Sequence, residues 1–188
     1  MLARFLTVLI SALSAFGLWG NATFAQQETG FPTSQVLVID SERFFEQSEF
    51  GLHVRSILEA EQSALLEENS LIEDELEIEE QSLADKRPTL TPEEFSKLSS
   101  AFNDKVQKIR HEQDSKSLAI NQKQEKYRAI FIEQARPALI EILTQSGASV
   151  MLERRTVLLS SNSIDITNLG IEMLNEAIGD GSHLIDNQ

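Results

Sequence analysis

Apolar residues recur between positions 52 and 145 at the three-and-four spacing of helices that pack through one narrow stripe. In the first half, the stripe follows steps of seven and of four residues: Val54, Leu58, Leu65, Ile72, Leu76 and Leu83. A second row runs beside it: Ile57, Ala64, Leu71 and Ile78. This pattern predicts a helix over residues 52–85 that forms a coiled coil with one local irregularity.

The helical pattern is interrupted by a single turn-rich segment, residues 86–92. Pro88 and Pro92 lack an amide hydrogen and disfavour helix in the residue before them, which predicts that the first helix ends near Asp85. Thr91 and Glu94 have the spacing of a capping box, with Pro92 at the first helical position. The sequence therefore predicts an antiparallel helical hairpin with its tip at 86–92.

The returning helix continues the pattern with eight apolar residues near three-and-four spacing: Phe95, Leu98, Phe102, Val106, Ile109, Ile120, Tyr127 and Ile130. Polar residues interrupt it at Gln113, at Lys116 or Ser117, and at Lys123 or Gln124. We therefore expect an arm that is weakly held along part of its length and that bends.

Charge is divided between the two predicted helices. Residues 56–85 contain no basic side chain and eleven acidic ones, whereas the returning helix carries many lysines and arginines. Pairing of acidic and basic faces across the hairpin is the favoured explanation. The alternative is a patch for an anionic ligand, for which Lys105, Lys108 and Arg110 are the candidates.

The segments on either side of the arm (residues 52–136) predict a small α+β body formed by residues 26–51 and 137–188. Before the arm, residues 36–39 form a continuous apolar strand and residues 41–47 a short helix capped by Asp40 or Ser41, with a bend at Gly51. After it, Pro137 predicts a kink or a helix restart, and Gly147 a helix end.

The C-terminal part of the body is predicted to contain a β-hairpin with strands at 148–152 and 156–159 and a turn at 153–155. A helix over 167–178 follows, capped by Asp165 or Thr167 and ended by Gly179, with a frayed tail from Asp180. These few short helices and strands are too small to form a stable core on their own, and an apolar strand at an exposed sheet edge favours aggregation. Self-association of the body resolves both problems.

Residues 1–25 have a basic start at Arg4, an apolar run and a small residue at Ala25, the pattern of a signal peptide cleaved near Ala25. A membrane anchor is the alternative, but the run is shorter than the ~20 residues of a spanning helix. Because Arg4 is the only charged residue of this segment, the remainder has 15 basic and 30 acidic residues and a net charge of −15. This charge argues against nucleic acid as a partner.

The sequence shows no arrangement typical of catalysis, and no enzyme activity, cofactor or metal is expected. It has no cysteine, no glycine-rich phosphate loop, and three histidines far apart in sequence: His53, His111 and His183. Function is therefore expected from surface and shape. Leu90 at the tip lacks an obvious partner in the stripe, whereas Phe95 and Phe102 fit the stripe better than a ligand contact.

The order of the parts resembles the OmpH/Skp family of periplasmic chaperones over nearly the whole chain after residue 25. The resemblance rests on a strand running into Val38-Ile39-Asp40, on Phe44-Phe45, on two long charged helices, on strands near Val150 and Val157, and on Asp165-Ile166-Thr167 before a last helix. It implies a homotrimer whose strands assemble a small β-barrel-like body from which three helical hairpins project around a cavity. The body contacts would then come from the apolar strand residues Val36, Val38, Val150, Leu152, Val157 and Leu159.

The resemblance also implies a function without ATP: unfolded outer-membrane proteins are held between the arms and kept from aggregating, with Leu90, Phe95 and Phe102 as candidate client contacts. Better-known members are strongly basic, whereas this chain is strongly acidic. Binding to lipopolysaccharide or to a membrane surface is therefore not carried over from the family. A coiled-coil scaffold or adaptor of the periplasm is the alternative, and it would favour a continuous apolar stripe over an interrupted one.

Overall fold

The computed structural model of the chain describes residues 30–185. The chain divides into two units, residues 1–30 and 31–188, and the described helices and strands all lie in the second. The predicted signal peptide, with its cleavage near Ala25, falls outside the described residues.

A helical hairpin accounts for most of the described chain, as predicted. Helix α2 spans Glu49–Lys86, a short 3₁₀ turn spans Arg87–Thr89, and helix α3 spans Pro92–Gln145. At the tip, the Thr91 amide donates to the Glu94 carboxylate at 3.0 Å, and the Glu94 amide donates to the Thr91 hydroxyl at 3.3 Å. The predicted capping box is confirmed, and it fixes the start of α3.

The predicted bend at Gly51 is wrong, because α2 begins at Glu49 and Gly51 lies within its first turn. The Ser48 hydroxyl accepts a hydrogen bond from the Gly51 amide at 3.0 Å and donates one to the Phe45 carbonyl at 2.8 Å. A side chain at Gly51 would place its Cβ 1.8 Å from the Phe45 carbonyl oxygen. The glycine is thus needed for a close approach between the arm and the preceding helix α1, Ser41–Gln47.

The predicted helix restart at Pro137 is also wrong, because α3 continues through this residue. A proline inside a helix forfeits one backbone hydrogen bond. Here the neighbouring Ala135 and Ala138 are buried, and their packing holds this part of α3 against the body. The helix ends with Gly147 at a φ of 63°, while the amides of Gly147 and Ala148 donate to the carbonyls of Thr144 and Leu143, the pattern of a Schellman motif.

The sheet has two strands in the described part of the chain, β1 (Val36–Ile39) and β2 (Val150–Glu153), which pair in parallel. Val36 lies opposite Val150, and Val38 lies opposite Leu152. Parallel strands require a crossover connection, and here the whole helical arm is that connection. One further bridge, between Val38 and Asp165, lies outside the two strands.

The predicted antiparallel hairpin with a strand at 156–159 is wrong. Residues Arg154–Thr156 form a 3₁₀ turn instead, in which the Val157 amide donates to the Arg154 carbonyl at 3.1 Å and the Thr156 hydroxyl to the Glu153 carbonyl at 2.7 Å. The Arg154 side chain is ion-paired with Asp165. The chain therefore leaves β2 through a helical turn and does not fold back along it.

Helix α4 spans Thr167–Ile178 as predicted and ends before Gly179, whose φ is 57°. The N-cap position of α4 is Ile166, which has no side-chain capping hydrogen bond, so neither Asp165 nor Thr167 occupies the position predicted for it. The Asp165 carboxylate instead accepts hydrogen bonds from the Thr167 amide at 2.9 Å and from its hydroxyl at 2.6 Å. The tail is ordered further than expected, because a short helix, α5, forms at Ser182–Ile185.

The core of the body is built around Phe131 of α3. Its ring lies 5.0 Å from that of Phe44, 4.9 Å from that of Phe45 and 6.0 Å from that of Phe50. Aromatic groups at such distances pack edge-to-face or tilted, and they bury large apolar areas. Because Phe50 lies in α2 and Phe131 in α3, this cluster clamps both helices of the arm at its base.

Candidate functional site

Three ion pairs connect α2 to α3 along the arm. Lys105 contacts Glu79, Lys116 contacts Glu68, and Lys123 contacts Glu61. From Glu61 to Glu68 and then to Glu79 the steps are seven and eleven residues, and α3 steps back by the same amounts. The register of the hairpin is therefore the same at all three ion pairs, although successive glutamates on α2 are seven residues apart in one step and eleven in the next.

These ion pairs explain the polar interruptions of the stripe. Lys116 and Lys123 occupy positions where apolar residues are expected, and each has a glutamate partner on α2. The Gln113 side-chain amide also donates to the Glu68 carboxylate, at 3.2 Å. The predicted pairing of acidic and basic faces across the hairpin is confirmed for these residues.

The electrostatic effect of this arrangement is clearest at Glu68. Hydrogen bonds from Lys116 and Gln113 lower the pKa of the Glu68 carboxyl below its ordinary value. On the other pair, the hydrogen bond with Glu61 raises the pKa of the Lys123 amine. Both shifts favour the charged forms, but the side chains are about one third to one half exposed to water. Such pairs set register more than they add stability.

The three residues of the predicted anionic-ligand patch do not converge on one point. Lys105 contacts Glu79 across the hairpin, whereas Lys108 lies 3.7 Å from Glu112 on its own helix. Arg110 makes no ion pair with any described residue. The patch stays a prediction, with its first two members already paired to carboxylates.

The three predicted client contacts lie at or near the tip and are half-buried. Phe95 packs under Arg87, whose guanidinium carbon lies 4.4 Å from the ring centroid. Phe102 occupies a half-buried position of the stripe on α3, and Leu90 is less exposed than expected for a tip residue without a partner. Of the three side chains, Phe95 thus helps to hold the tip of the arm together.

The largest exposed apolar side chains of the arm are other residues. Ile78 is 72% exposed, Leu66 70% and Leu71 60%, with further exposed leucines at Leu98 and Leu118. Sequence reasoning placed Leu71 and Ile78 beside the stripe but did not assign them a function. Their seven-residue spacing, offset from the stripe, was the signal that they face away from α3.

In the body, an acidic residue organises the segment that follows β2. The Asp165 side chain is only 8% exposed and contacts Arg154 and, at 3.7 Å, Arg43. Burial alone raises its pKa, but the hydrogen bonds from Thr167 and the charges of Arg43 and Arg154 lower it overall. The Arg154–Asp165 contact closes the loop 155–164 at its base. Leu158 and Leu159 of this loop are 95% and 89% exposed.

The predicted body contacts fall into two groups. Val36, Val150 and Leu152 are each more than one third exposed on the sheet, Val157 is half-buried, and Leu159 is exposed. Val38 is different, because it is 1% exposed and belongs to the core of this chain. It is therefore not accessible for the contact between subunits predicted for it, whereas the other five residues are.

Within residues 30–185, no group of three or more histidine, aspartate or glutamate side chains is arranged to hold a metal ion. No helix in the same range has the length and apolar character needed to cross a membrane.

A comparison with protein families finds that the model of the family described as outer membrane protein (OmpH-like) matches residues 35–174. This match covers about three quarters of the chain. The chain belongs to the OmpH-like family. The resemblance derived from the sequence is thereby confirmed.

The fold of this OmpH-like chain is also found in a solved structure. A crystal structure of an OmpH-like protein from Caulobacter crescentus CB15, provisionally assigned as an outer membrane chaperone, superposes with a TM-score of 0.71. The two sequences are 18% identical, and the alignment covers 77% of this chain and 86% of the other. A comparison with curated proteins gives no match.

The matched range of the OmpH-like chain contains β1, the complete arm, β2 and most of α4. It therefore includes the three ion pairs of the arm and the Asp165 cluster. Helix α5 lies beyond it.

Proposed function

We propose that the chain is an ATP-independent holdase chaperone of the periplasm, which binds unfolded outer-membrane proteins between its helical arms and prevents their aggregation before membrane insertion. Family membership supports a role of the chaperone type. The signal-peptide pattern of residues 1–25 supports the periplasmic location. The proposal involves no catalytic step.

The observation that carries the proposal is the surface of the arm. Polar pairs replace apolar contacts at several positions between α2 and α3, while large apolar side chains such as Leu66, Leu71 and Ile78 remain exposed. Scattered apolar contacts on a long arm suit unfolded chains, which offer many weak binding segments and no fixed shape. Pairs that form in partly exposed positions also re-form at little cost when an arm changes shape around a client.

A homotrimer is part of the proposal, because one arm cannot enclose a cavity. The exposed apolar residues Val36, Val150 and Leu152 on the sheet, and Leu158 and Leu159 on the loop 155–164, support association of the body with further copies. Strand β2 has β1 on one edge, and its other edge has no strand partner within the described residues. An apolar edge of this kind favours pairing with another chain.

The scaffold alternative is less well supported. A scaffold that dimerises through its arms requires a continuous apolar stripe. Here the stripe is broken by Gln113, Lys116 and Lys123, and the partners of these residues lie within the same hairpin.

Light scattering tests the proposal. An unfolded outer-membrane β-barrel protein is diluted from urea with and without the purified chain, at low and at high salt. A holdase lowers scattering at equimolar trimer. Unchanged aggregation under both conditions would exclude the holdase function. Sedimentation equilibrium of the same preparation gives the number of copies, for which a trimer is expected.

A further inference from the structure

An acidic and apolar surface lies on α2 near the middle of the arm. Leu71, Asp74, Glu75 and Ile78 occur at positions i, i+3, i+4 and i+7 and therefore share one helix face. Leu71 and Ile78 are 60% and 72% exposed, and both carboxylates between them are exposed as well. We call this set the α2 flank. Its two apolar ends are about 10 Å apart along the helix axis.

The carboxylates of the α2 flank are not neutralised by the chain itself. The Asp74 and Glu75 carboxylates take part in no ion pair or hydrogen bond with any residue of the described part. The constant register of the hairpin puts Arg110 of α3 level with Asp74, but the two do not pair, because Asp74 shares the helix face that points away from α3. Lys105 and Lys108 of α3 already have Glu79 and Glu112 as partners. The flank therefore keeps its negative charge.

The neighbouring acidic residues of α2 add to the negative charge of the α2 flank. Of the eleven acidic residues between positions 56 and 85, three pair with lysines of α3, and the segment has no basic residue of its own. Like charges this close on one helix repel each other, and a basic ligand that approaches them relieves the repulsion. Two exposed aliphatic side chains in the same place add an apolar contact that a simple cation would not use.

We propose that the α2 flank binds segments of unfolded polypeptide in which lysine or arginine residues are interspersed with apolar residues. This inference rests on the proposed function and names the class of client segment that the arm prefers. The basic side chains pair with Asp74 and Glu75, while the apolar ones contact Leu71 and Ile78. A second copy of the chain is a poor occupant, because two such flanks would bring carboxylates together.

The charge component is tested by fluorescence anisotropy of short labelled peptides added to the full chain. One peptide alternates apolar residues with lysine, a second replaces lysine by glutamate, and a third keeps lysine but replaces the apolar residues by serine. We expect the first peptide to bind at least about fivefold more tightly than either of the others, and the preference over the glutamate peptide to shrink at high salt.

Matched variants locate the binding. Asp74→Lys with Glu75→Lys should abolish or reverse the preference for the lysine peptide, whereas Asp104→Lys with Glu125→Lys makes the same charge change on α3 and should preserve it. Leu71→Ser with Ile78→Ser should weaken binding of the first peptide more than Leu66→Ser with Leu118→Ser, which removes exposed leucines elsewhere on the arm. Circular dichroism of each variant confirms that it folds.

The outcomes separate this inference from the proposed function. Equal binding of the lysine and glutamate peptides, or equal effects of the paired variants, would overturn the assignment of the α2 flank, even if the chain still suppresses aggregation of an outer-membrane protein. Failure to suppress aggregation together with selective peptide binding would overturn the holdase function and keep the flank. A change of sedimentation mass caused by Leu71→Ser with Ile78→Ser would show that another copy covers this face, which also overturns it.

Discussion

Lys116 of α3 contacts Glu68 of α2 at the middle of the arm, at a position where the apolar stripe of α3 is interrupted. Gln113 donates to the same carboxylate, and one of its own side-chain atoms, Oε1, is buried without a hydrogen-bond partner. A half-satisfied polar layer is a weak place in a helical hairpin. The arm is thus joined firmly at the Phe131 cluster and at the capped tip, with a polar, more easily opened layer between them.

Replacing this layer by apolar residues should make the arm stiffer. For Glu68→Leu with Lys116→Leu, we expect a higher melting temperature and slower amide exchange around residues 65–72 and 113–120, because two partly exposed charges give way to a continuous stripe. Lys108→Leu with Glu112→Leu is the control, since it removes an ion pair on the surface of α3 alone. Equal amide exchange in the two double variants would show that the Glu68–Lys116 layer is not a weak place.

Phe131→Ala should loosen the base of the arm. Three aromatic neighbours, Phe44, Phe45 and Phe50, lose their common contact, and the free energy of unfolding is expected to fall by about 3–5 kcal/mol. The neighbouring Ile132 is 60% exposed, so Ile132→Ala should change it by less than about 1 kcal/mol. Urea denaturation measures both values, and similar losses would contradict the central position of Phe131.

Gly51→Ala should destabilise the junction of α1 and α2. The added methyl group would lie 1.8 Å from the Phe45 carbonyl oxygen, so the backbone has to shift, at a cost of at least about 2 kcal/mol. Gly30→Ala is the control, because no atom lies within 4 Å of the position of its added Cβ. Thermal unfolding of the two variants compares them. A neutral Gly51→Ala would mean that the start of α2 is less constrained than these contacts indicate.

Asp165 should make the stability of the body depend on pH at the acidic end. Its folded-state pKa lies below the ordinary value of 3.8, so its stabilising contribution is complete above that value and is lost as the pH falls through the lowered pKa. Asp165→Asn removes the charge that faces Arg43 and Arg154, and it should cost about 1–3 kcal/mol at neutral pH.

The difference between wild type and Asp165→Asn should therefore shrink below pH 3.8, where the wild-type carboxyl also becomes protonated. Urea unfolding at neutral pH and at acidic pH measures this difference. A difference that stays constant over the whole range would contradict an ionised Asp165 as the source of the effect.

The elements that were predictable from the sequence are those with local determinants. The capping box of Thr91 and Glu94, the strand 36–39 and the helix 167–178 depend on neighbouring residues, and the structure has them at the predicted positions. The bend at Gly51 was wrong because a glycine that breaks a helix and one that permits close contact look alike in sequence. Only the position of the Phe45 carbonyl distinguishes them.

The predicted strand at 156–159 was wrong for a related reason. Val157, Leu158 and Leu159 have the composition of a strand, but the Arg154–Asp165 ion pair, formed between residues eleven apart, holds the loop in another shape. In the arm, the opposite charges of α2 and α3 predicted that acidic and basic side chains pair across the hairpin. Which glutamate pairs with which lysine depends on the register of the two helices. Which apolar residues stay exposed on α2 also follows from the register, because it decides which side of the helix faces α3.

The most direct test of the account removes the arm and keeps the body. Residues 56–134 are replaced by a short linker, and both the mass in sedimentation and the light scattering of an unfolded outer-membrane protein are measured. We expect a trimer that no longer suppresses aggregation, because the exposed apolar residues of the body mediate assembly and the arms hold the client. A trimer that still protects the client as well as the complete chain does would contradict it.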